Sequence, residues 1–334
     1  MKRLRSARIY RDTPRNLARL AAALRRGELV AVPTETVYGL AANALNSAAC
    51  KKIFTAKGRP ANDPLIVHIG HWRELPSVAE PNAAALKLAR KFWPGPLTLV
   101  LPKKSTVPAI VSSGLRSVAV RLPSHPVFRR LQRLAGIPLA APSANQFGYV
   151  SPTTAAHVFD GLGKKIPHIL DGGPTAIGLE STIVDLRDPR RPRLLRLGAV
   201  TRMELEEALG CTVADASKRR AAVGRAQLAP GRLSRHYSPR TPVELHRRLN
   251  LRGAERHAAN EAWLYFGPPD GVTGENIFVL SPDRDIGVAA QRLFGLLRRL
   301  DAGRFAKIHV ELAPRGGLGD AINDRLRRAA SRRE

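Results

Sequence analysis

Short apolar runs alternate with amphipathic helix patterns along the N-terminal part of the chain, and this alternation constrains the fold more than any other feature. Thr13 and Pro14 begin the first helix pattern, which ends at Gly27, and the first apolar run follows it directly. Strands interleaved with helices, joined by turns rich in Gly and Pro, predict an α/β domain on a twisted sheet. The predicted strands are Leu29–Val32, Pro64–Ile69, Leu97–Leu101, Val118–Leu122, Pro138–Ala141, His168–Leu170, Ser181–Leu186 and Leu194–Leu197.

The 334 residues predict two domains, because about 150 residues is usual for one. Thr201 and Glu204 form the capping box of a helix that completes the first domain, residues 1–210. Residues 211–240 are rich in Ala, Gly, Pro and basic side chains, which predicts a linker. Residues 241–334 again alternate strands and helices and predict a smaller α/β domain. Its predicted elements are the strands Val243–Leu245, Glu261–Phe266, Asn276–Leu280 and Lys307–Leu312 and the helix Asp285–Leu300.

The charge of the chain is its most unusual compositional feature. Lys and Arg number 55 and Asp and Glu 27, which gives a formal net charge of +28. Such an excess predicts attraction to anions: nucleotides, nucleic acid or a membrane surface. Two cysteines exclude a disulfide scaffold and indicate a reducing cytoplasm. No apolar run approaches the roughly 20 residues of a spanning helix, and no membrane partner is predicted. The basic start leads into no apolar stretch, so a secretory signal is not expected, with an Arg-rich organellar presequence as a less favoured alternative.

Polar clusters follow several predicted strands, and the ends of strands are where open α/β sheets bind ligands. Thr34, Glu35 and Thr36 follow the first buried strand and could hold a small polar substrate, with an ordinary cap or turn as an equal alternative. Lys57 and Arg59 lie at a turn rich in Gly and Pro. There they would neutralise a polyphosphate, although a generic Lys-x-Arg is more often a solvated helix end.

Arg121 and His68 each end an apolar strand. Side chains alternate along a strand, so Arg121 faces away from Val118 and Val120. An arginine at this position must meet water or an anion, because burying it unpaired is too costly, and a carboxylate is a suitable partner. His68 taken alone more often predicts a core histidine than a ligand-binding one.

Small and polar residues surround Ser143, Asn145 and Ser151 in the next cluster, and Ser181 and Arg196 have a similar character. Small residues let a ligand approach the backbone, and the hydroxyl and amide groups suit phosphate oxygens or a base. A chain of turns with a helix cap is the alternative. The sequence contains no P-loop, no H-E-x-x-H and no other metal-ligand spacing, so no metal site is predicted.

Eight longer segments contain most of these residues, although Ser151 and Arg196 lie outside them. They are PTETVYGL at 33–40, KGRPANDPLIVHI at 57–69, WPGPLTLVL at 93–101, SVAVRLPSHP at 117–126, PLAAPSAN at 138–145, DGGPTAIGLESTIVDL at 171–186, APGRLSRHYSP at 229–239 and GLGDAINDRLRRAA at 317–330. Together, and in this order, they resemble the YrdC-domain family of threonylcarbamoyl-AMP synthases over nearly the whole chain. The last two segments indicate the longer, two-domain form of the family.

The resemblance implies a YrdC-like twisted open sheet, a linker that folds over the nucleotide, and a small Rossmann-like C-terminal α/β domain. It implies a nucleotidyltransferase that makes threonylcarbamoyl-AMP and pyrophosphate from L-threonine, bicarbonate (or CO2) and ATP. Magnesium would share the phosphate charge, and tRNA or a tRNA-modification transferase complex would be a partner. The positions matched to threonine are Thr36, His68, Arg121, Ala141 and Ser181. Those matched to ATP are Lys57, Arg59, Asp63, Ser143, Asn145, Ser151, Arg196 and Ser234. The resemblance gives Lys57, Arg59 and Arg121 the catalytic roles.

Two residues depart from the family pattern. Asp63 stands where the family often has Asn, which adds a negative charge near the phosphates unless a metal or an arginine compensates it. Ser234 stands where some relatives carry Tyr, so an aromatic contact with the ligand is lost. No residue is a candidate for a dedicated general base, and we expect positioned cations to supply most of the catalysis.

Two other functions remain open at this point. The net charge of +28 favours a non-catalytic protein that binds tRNA or double-stranded RNA. The low aromatic content of 5% disfavours it, because RNA-binding proteins usually present aromatic platforms. A carbamoyl-phosphate-using relative of the same fold is the second alternative.

Overall fold

The computed structural model describes residues 6–218, 225–231, 237–249, 258, 260–271 and 273–331. These residues form a mixed sheet of 11 strands and a second, parallel sheet of four. This is the α/β class that the alternating pattern predicts. The strands of the larger sheet are β1 (Arg8–Tyr10), β2 (Val30–Val32), β3 (Gly39–Asn43), β4 (Ile66–His68), β5 (Leu97–Pro102), β6 (Ser117–Arg121), β7 (Leu139–Ala140), β8 (His168–Leu170), β9 (Thr182–Asp185), β10 (Arg193–Arg196) and β11 (Ala214–Asp215).

The larger sheet has the strand order β1-β8-β2-β3-β7-β4-β6-β5-β9-β10-β11. All eight strands predicted for the N-terminal part of the chain are present, with ends shifted by one or two residues. β3 escaped prediction because its sequence, GLAAN, is made of small residues with little β-propensity. Its conformation comes from antiparallel pairing with β2 on one side and β7 on the other.

Helices cover the larger sheet on both faces. Local signals set their ends: Asn46 caps α2 through its side chain, and Gly58 ends α2 in the left-handed conformation (φ 63°). The predicted capping box of Thr201 and Glu204 is present at the start of α7. The helices are α1 (Pro14–Arg25), α2 (Ser47–Lys57), α3 (Leu75–Val78), α4 (Ala83–Phe92), α5 (Pro126–Ala135), α6 (Ala155–Leu162) and α7 (Arg202–Leu209), with a 3₁₀ helix at Trp72–Glu74.

The two faces of the larger sheet are covered differently. Helices α2, α4, α6 and α7 pack on one face over a continuous apolar core, whereas α1 and α5 pack on part of the other. The remaining part of that second face, which includes Ala119 and Leu195, is covered by the segment around Ala229. This leaves room for a cavity between the sheet and the segment that crosses it.

The second sheet contains β12 (Val243–His246), β13 (Ala262–Tyr265), β14 (Ile277–Val279) and β15 (Ile308–Glu311), in the order β12-β15-β13-β14. The helices α8 (Ile286–Ala302) and α9 (Leu318–Ala329) pack with it around a second apolar core. This C-terminal unit also contacts the larger sheet's loops: Arg298 on α8 donates to the carbonyl oxygen of Val150 at 2.6 Å, and Tyr149 donates to Asp301 at 2.6 Å. None of the helices in the described ranges has the length and apolarity needed to span a bilayer.

Candidate active site

A cavity of about 40 Å³ lies beside β4, β6, β9 and β10, on the part of the second face of the larger sheet that α1 and α5 do not cover. Eight of the predicted site residues line it: Thr36, Arg59, His68, Arg121, Ala141, Ser143, Ser181 and Arg196. Lys57, Asp63, Asn145 and Ser151 are buried in the layer behind its wall. Ser234 lies outside the described residues. The structure therefore brings most of the predicted residues together around one space.

Arg121 lies on the cavity side of β6, as the alternation of its strand predicts, while Val118 and Val120 lie in the apolar core. The guanidinium of Arg121 donates through Nη1 to Thr36 Oγ1 at 2.9 Å and through Nε to the carbonyl oxygen of Gly95 at 3.2 Å. Its Nη2 lies 2.7 Å from Glu35 Oε1. The cation is thus held from three sides and already has one carboxylate partner.

Glu35 is a site residue to which the sequence alone assigned no definite role. Its side chain is only 8% exposed, and burial by itself opposes its ionisation. The charge of Arg121 outweighs the burial and holds the pKa of Glu35 below its usual value. Glu35 is consequently an anion at neutral pH, and it sets the orientation of Arg121.

His68 is both a core histidine and a residue of the cavity wall. Its ring packs edge-on against Phe128, with centroids 5.7 Å apart, and it also lines the cavity. Burial, assisted by the charge of Arg121, lowers the pKa of His68 to about 3. The imidazole is therefore neutral and supplies a polar but uncharged wall.

Ser181 and Arg196 form a rigid polar corner. Arg196 donates through Nη2 to Ser181 Oγ and through Nε to Ser181 O, both at 2.9 Å. The same Ser181 hydroxyl lies 2.7 Å from the hydroxyl of Thr98 on β5. Burial lowers the pKa of Arg196 to about 10, which leaves it charged. Its described hydrogen-bond partners are uncharged oxygens, so its positive charge is not neutralised by a direct carboxylate contact.

Arg59 compensates the charge of Asp63. Its Nη2 lies 2.9 Å from Asp63 Oδ2, and both side chains are almost fully buried. Arg59 also donates to the carbonyl oxygens of Asp63 and Pro64. Burial raises the pKa of Asp63, while the charge of Arg59 opposes that rise. The departure from the family's usual Asn is thus balanced by an arginine within the protein.

Lys57 stands behind the cavity wall and holds the loop that forms it. Its ammonium donates to the carbonyl oxygens of Ser143 at 2.5 Å and Asn145 at 2.6 Å. Burial, followed by the neighbouring charge of Arg59, lowers the pKa of Lys57 well below its usual value. The side-chain amide of Asn145 in turn donates to the carbonyl oxygens of Gln146 and Tyr149. These two residues therefore shape the loop from inside.

The described roof of the cavity comes from Pro230, Gly231 and Tyr237. Tyr237 is buried, has a positive φ of 64°, and stacks on Phe294 of α8 with ring centroids 5.4 Å apart. The guanidinium of Arg325 on α9 lies 5.3 Å from the centroid of the same ring. The C-terminal unit thus fixes one wall of the site.

Glu180 connects the cavity to that unit. It accepts from the Ser151 hydroxyl at 2.5 Å and from Arg325 Nε at 2.9 Å. Arg325 is fully buried and also donates to the carbonyl oxygen of Leu197 at 2.8 Å. The sequence places Glu180 in the same polar cluster as Ser181 but assigns it no role, and it gives no indication that Arg325 is a site residue. They lie within the segments 171–186 and 317–330, but no sequence signal pairs residues 145 positions apart.

Two family models and several related proteins match this chain over nearly its whole length. Residues 22–198 match the family model Sua5/YciO/YrdC, described as "Telomere recombination", and residues 200–331 match "Threonylcarbamoyl-AMP synthase, C-terminal domain". The chain is 42% identical to the threonylcarbamoyl-AMP synthase of Pyrococcus abyssi over 93% of its own length and 92% of that relative. For the Bacillus subtilis enzyme of the same name the identity is 40%, over 95% and 93%. The solved structure of P. abyssi Sua5 complexed with L-threonine superposes with a TM-score of 0.88 at 40% identity, covering 96% of each chain.

Proposed function

Since the chain belongs to the threonylcarbamoyl-AMP synthase family, we propose that it makes threonylcarbamoyl-AMP and pyrophosphate from L-threonine, bicarbonate or CO2, and ATP. The observation that carries the proposal is the set of buried cations and hydroxyls around one cavity. Arg59, Arg121 and Arg196 line it together with Thr36 and Ser181. A buried group of this kind suits a small amino acid next to a polyphosphate, because both ligands are anions.

Threonine would bind at the Arg121 end of the cavity. Arg121 is fixed by Thr36 and Glu35, so its guanidinium needs no reorganisation to receive a carboxylate. The neutral ring of His68 and the methyl group of Ala141 line the same cavity and would contact the rest of the amino acid. Ser181, held by Thr98 and Arg196, lines the same cavity and has a hydroxyl to offer.

ATP would bind at the Arg59 and Arg196 end. Among the described residues, the hydrogen-bond partners of Arg196 are uncharged oxygens, so an incoming phosphate would give it an anionic contact that these partners do not supply. Ser143 lines the wall there, and Lys57 supports that wall through two carbonyl oxygens. We propose that the positive charge of Lys57 attracts the phosphates without touching them, and that its two hydrogen bonds hold the loop in place.

The reaction then follows from bringing the anions together. The threonine amine adds to CO2, forming a C–N bond and releasing a proton, and gives an N-carboxylate. An oxygen of that carboxylate attacks the α-phosphorus of ATP, and the bond to pyrophosphate breaks. Arginines on both sides would lower the repulsion between the two anions and stabilise the charge that develops on the leaving group. With bicarbonate as the source of carbon, a water molecule leaves in place of the proton. The transfer to phosphorus is a nucleotidyl transfer.

Magnesium would enter with the nucleotide. Among the described residues, the carboxylates nearest the cavity, Glu35, Asp63 and Glu180, each lie in an ion pair with an arginine. These carboxylates are thus poorly placed to hold a resident ion. Mg²⁺ is commonly bound through substrate phosphates and retains several waters. We therefore propose that the substrate is the Mg²⁺–ATP complex, which lowers the negative charge that the arginines must balance.

Pyrophosphate release by the purified chain tests the proposal. It should require ATP, L-threonine and bicarbonate together, and mass spectrometry should detect threonylcarbamoyl-AMP. Arg121→Ala and Arg59→Ala should each abolish release, because a charge-assisted hydrogen bond of about 1.5–3 kcal/mol corresponds to roughly 10- to 150-fold in rate and each arginine supplies several such bonds. Arg121→Lys keeps the charge, loses the planar fork, and should act mainly on the threonine KM.

Arg116→Ala is the matched control, since Arg116 is exposed and directly precedes β6. Release that does not depend on threonine would refute the proposed substrate. Near-parental release in Arg121→Ala or Arg59→Ala would refute the role of that residue. A product of this kind is consumed by an enzyme that transfers the threonylcarbamoyl group to tRNA, and we propose such a transferase as the partner.

A further inference from the structure

Two histidines and a glutamate lie together on the second sheet, away from the residues assigned to catalysis. β12 and β15 are parallel neighbours in which Glu244 is opposite His309. Because side chains alternate along a strand, Glu244, His246 and His309 share one face. Leu245 packs against the core of the C-terminal unit on the other face, and Val310 lies within it. In the part of the chain that the structure describes, this is the one place where three potential metal ligands of this kind converge.

The distances between these side chains suit a single small ion. His246 Nε2 lies 2.9 Å from His309 Nδ1 and 3.8 Å from Glu244 Oε1, and all three ligand atoms lie within 4.8 Å of one another. In a tetrahedral site with zinc–nitrogen bonds of about 2.0–2.1 Å, two ligating nitrogens are about 3.3 Å apart. The imidazoles need to separate by only a few tenths of an ångström to hold the ion in place of the proton they now share.

The surroundings of His309 favour the form that binds a metal. Its Nε2 lies 3.0 Å from Glu261 Oε2, so Nε2–H donates to this carboxylate and the lone pair of Nδ1 faces His246. The ring also stacks on Trp263, with centroids 3.9 Å apart and planes 7° from parallel. A carboxylate that accepts from the far nitrogen of a ligating histidine is the usual support of a zinc site.

We propose that Glu244, His246 and His309 form a Zn²⁺ site with an open fourth position. Two imidazoles and one carboxylate are a zinc ligand set, whereas Mg²⁺ and Ca²⁺ prefer oxygen ligands. Lys307 Nζ lies 3.0 Å from Glu244 Oε2 in an exposed ion pair. The other carboxylate oxygen, Glu244 Oε1, faces His246. The chain's net charge of +28 repels cations in general, so uptake here depends on the specific ligands. The ion joins β12 to β15 and stabilises the C-terminal unit.

Calorimetric titration of the chelator-treated full-length chain with ZnCl2 tests the site. We expect one Zn²⁺ per chain and a rise in the unfolding temperature that equimolar MgCl2 does not produce. Glu244→Gln and His246→Asn should each lower the affinity more than tenfold, since their side chains are 49% and 27% exposed and their replacement should leave the fold intact. Glu261→Gln should lower it about 10- to 100-fold through the supporting hydrogen bond.

His71→Asn is the matched control, because His71 is an exposed histidine on the larger unit. It should leave both the stoichiometry and the affinity unchanged. The proposal is overturned if the chain takes up no saturating Zn²⁺. It is equally overturned if the affinity survives in Glu244→Gln and His246→Asn variants whose circular dichroism matches the parent.

Discussion

Replacing Arg325 by methionine removes the cation that ties the C-terminal unit to the catalytic cavity. Arg325 is fully buried, and its Nε donates to Glu180 Oε2 at 2.9 Å. Glu180 lines the cavity, and among the described residues the Ser151 hydroxyl is the side-chain donor that it retains when the guanidinium is lost. The substitution therefore leaves a buried carboxylate without its counter-charge, while methionine fills most of the volume of the arginine stem.

The expected loss of stability is large. Breaking a buried ion pair by removing one partner costs about 3–5 kcal/mol, because the remaining charge is left desolvated. In a folding unit of about 150–250 residues, each kcal/mol lowers the unfolding temperature by about 2–4 °C. Arg325→Met should therefore lower it by roughly 6–20 °C. Arg327→Met is the matched control, since Arg327 is exposed on the same helix and its replacement should fall within about 0.5 kcal/mol of the parent.

A double-variant cycle separates the ion pair from lost packing. Glu180→Gln should partly rescue Arg325→Met, because it removes the stranded charge, and the coupling free energy should be about 0.5–3 kcal/mol. Urea unfolding followed by circular dichroism measures it. If Arg325→Met is as stable as Arg327→Met, or if the two site substitutions are simply additive, the buried pair does not hold the units together and the reasoning fails.

Two further predictions concern the cavity itself. Asp63→Asn should lower the KM for ATP, because Arg59 no longer pairs with a carboxylate and can bind phosphate instead. The same substitution should lower the free energy of unfolding by about 1–3 kcal/mol, because Arg59 loses its buried counter-charge. An unchanged KM together with an unchanged urea midpoint would contradict this prediction. His68 has a folded-state pKa of about 3, below its usual 6.5, so the unfolded chain takes up the proton first and stability should fall as the pH drops below about 6.5. His68→Asn should flatten this acid-side decline in unfolding temperature, and an identical pH profile in parent and variant would show that His68 does not cause it.

Local signals predicted the fold well where one residue decides the outcome. The caps formed by Thr13 and Thr201 act within three residues of themselves, and both are present. β3 was missed because its conformation depends on partners in β2 and β7 and not on its own side chains. β11, at Ala214–Asp215, similarly extends the larger sheet beyond the boundary predicted at residue 210. Pairing between strands is a property of the folded chain and leaves little trace in a short segment.

In the candidate site, too, the sequence predicted the residues that lie in local motifs but not the contacts between distant segments. Motifs identified most of the arginines and hydroxyls of the cavity, since all of them except Arg196 lie in segments with a recognisable pattern. The partners of those residues were not identified, because Glu35 reaches Arg121 and Glu180 reaches Arg325 only after folding. The proposed zinc ligands escaped for the same reason: His246 and His309 are 63 positions apart and belong to no spacing motif.

The distribution of counter-charges decides which cations are free to bind a ligand. Arg59 and Arg121 each contact a carboxylate, so an incoming anion must share them. Lys57 and Arg196 donate to uncharged oxygens, and burial lowers the pKa of both. An anion arriving near these two relieves the cost of burying their charge, in surroundings where little water screens the attraction. We therefore expect Lys57 and Arg196 to add to the electrostatic binding that the polyphosphate draws from Arg59. Under the proposed function, Arg121, already balanced by Glu35, would orient the single carboxylate of the amino acid. The net charge of +28 contributes little to this selectivity, because it is the pairing of a few buried groups that sets the local potential.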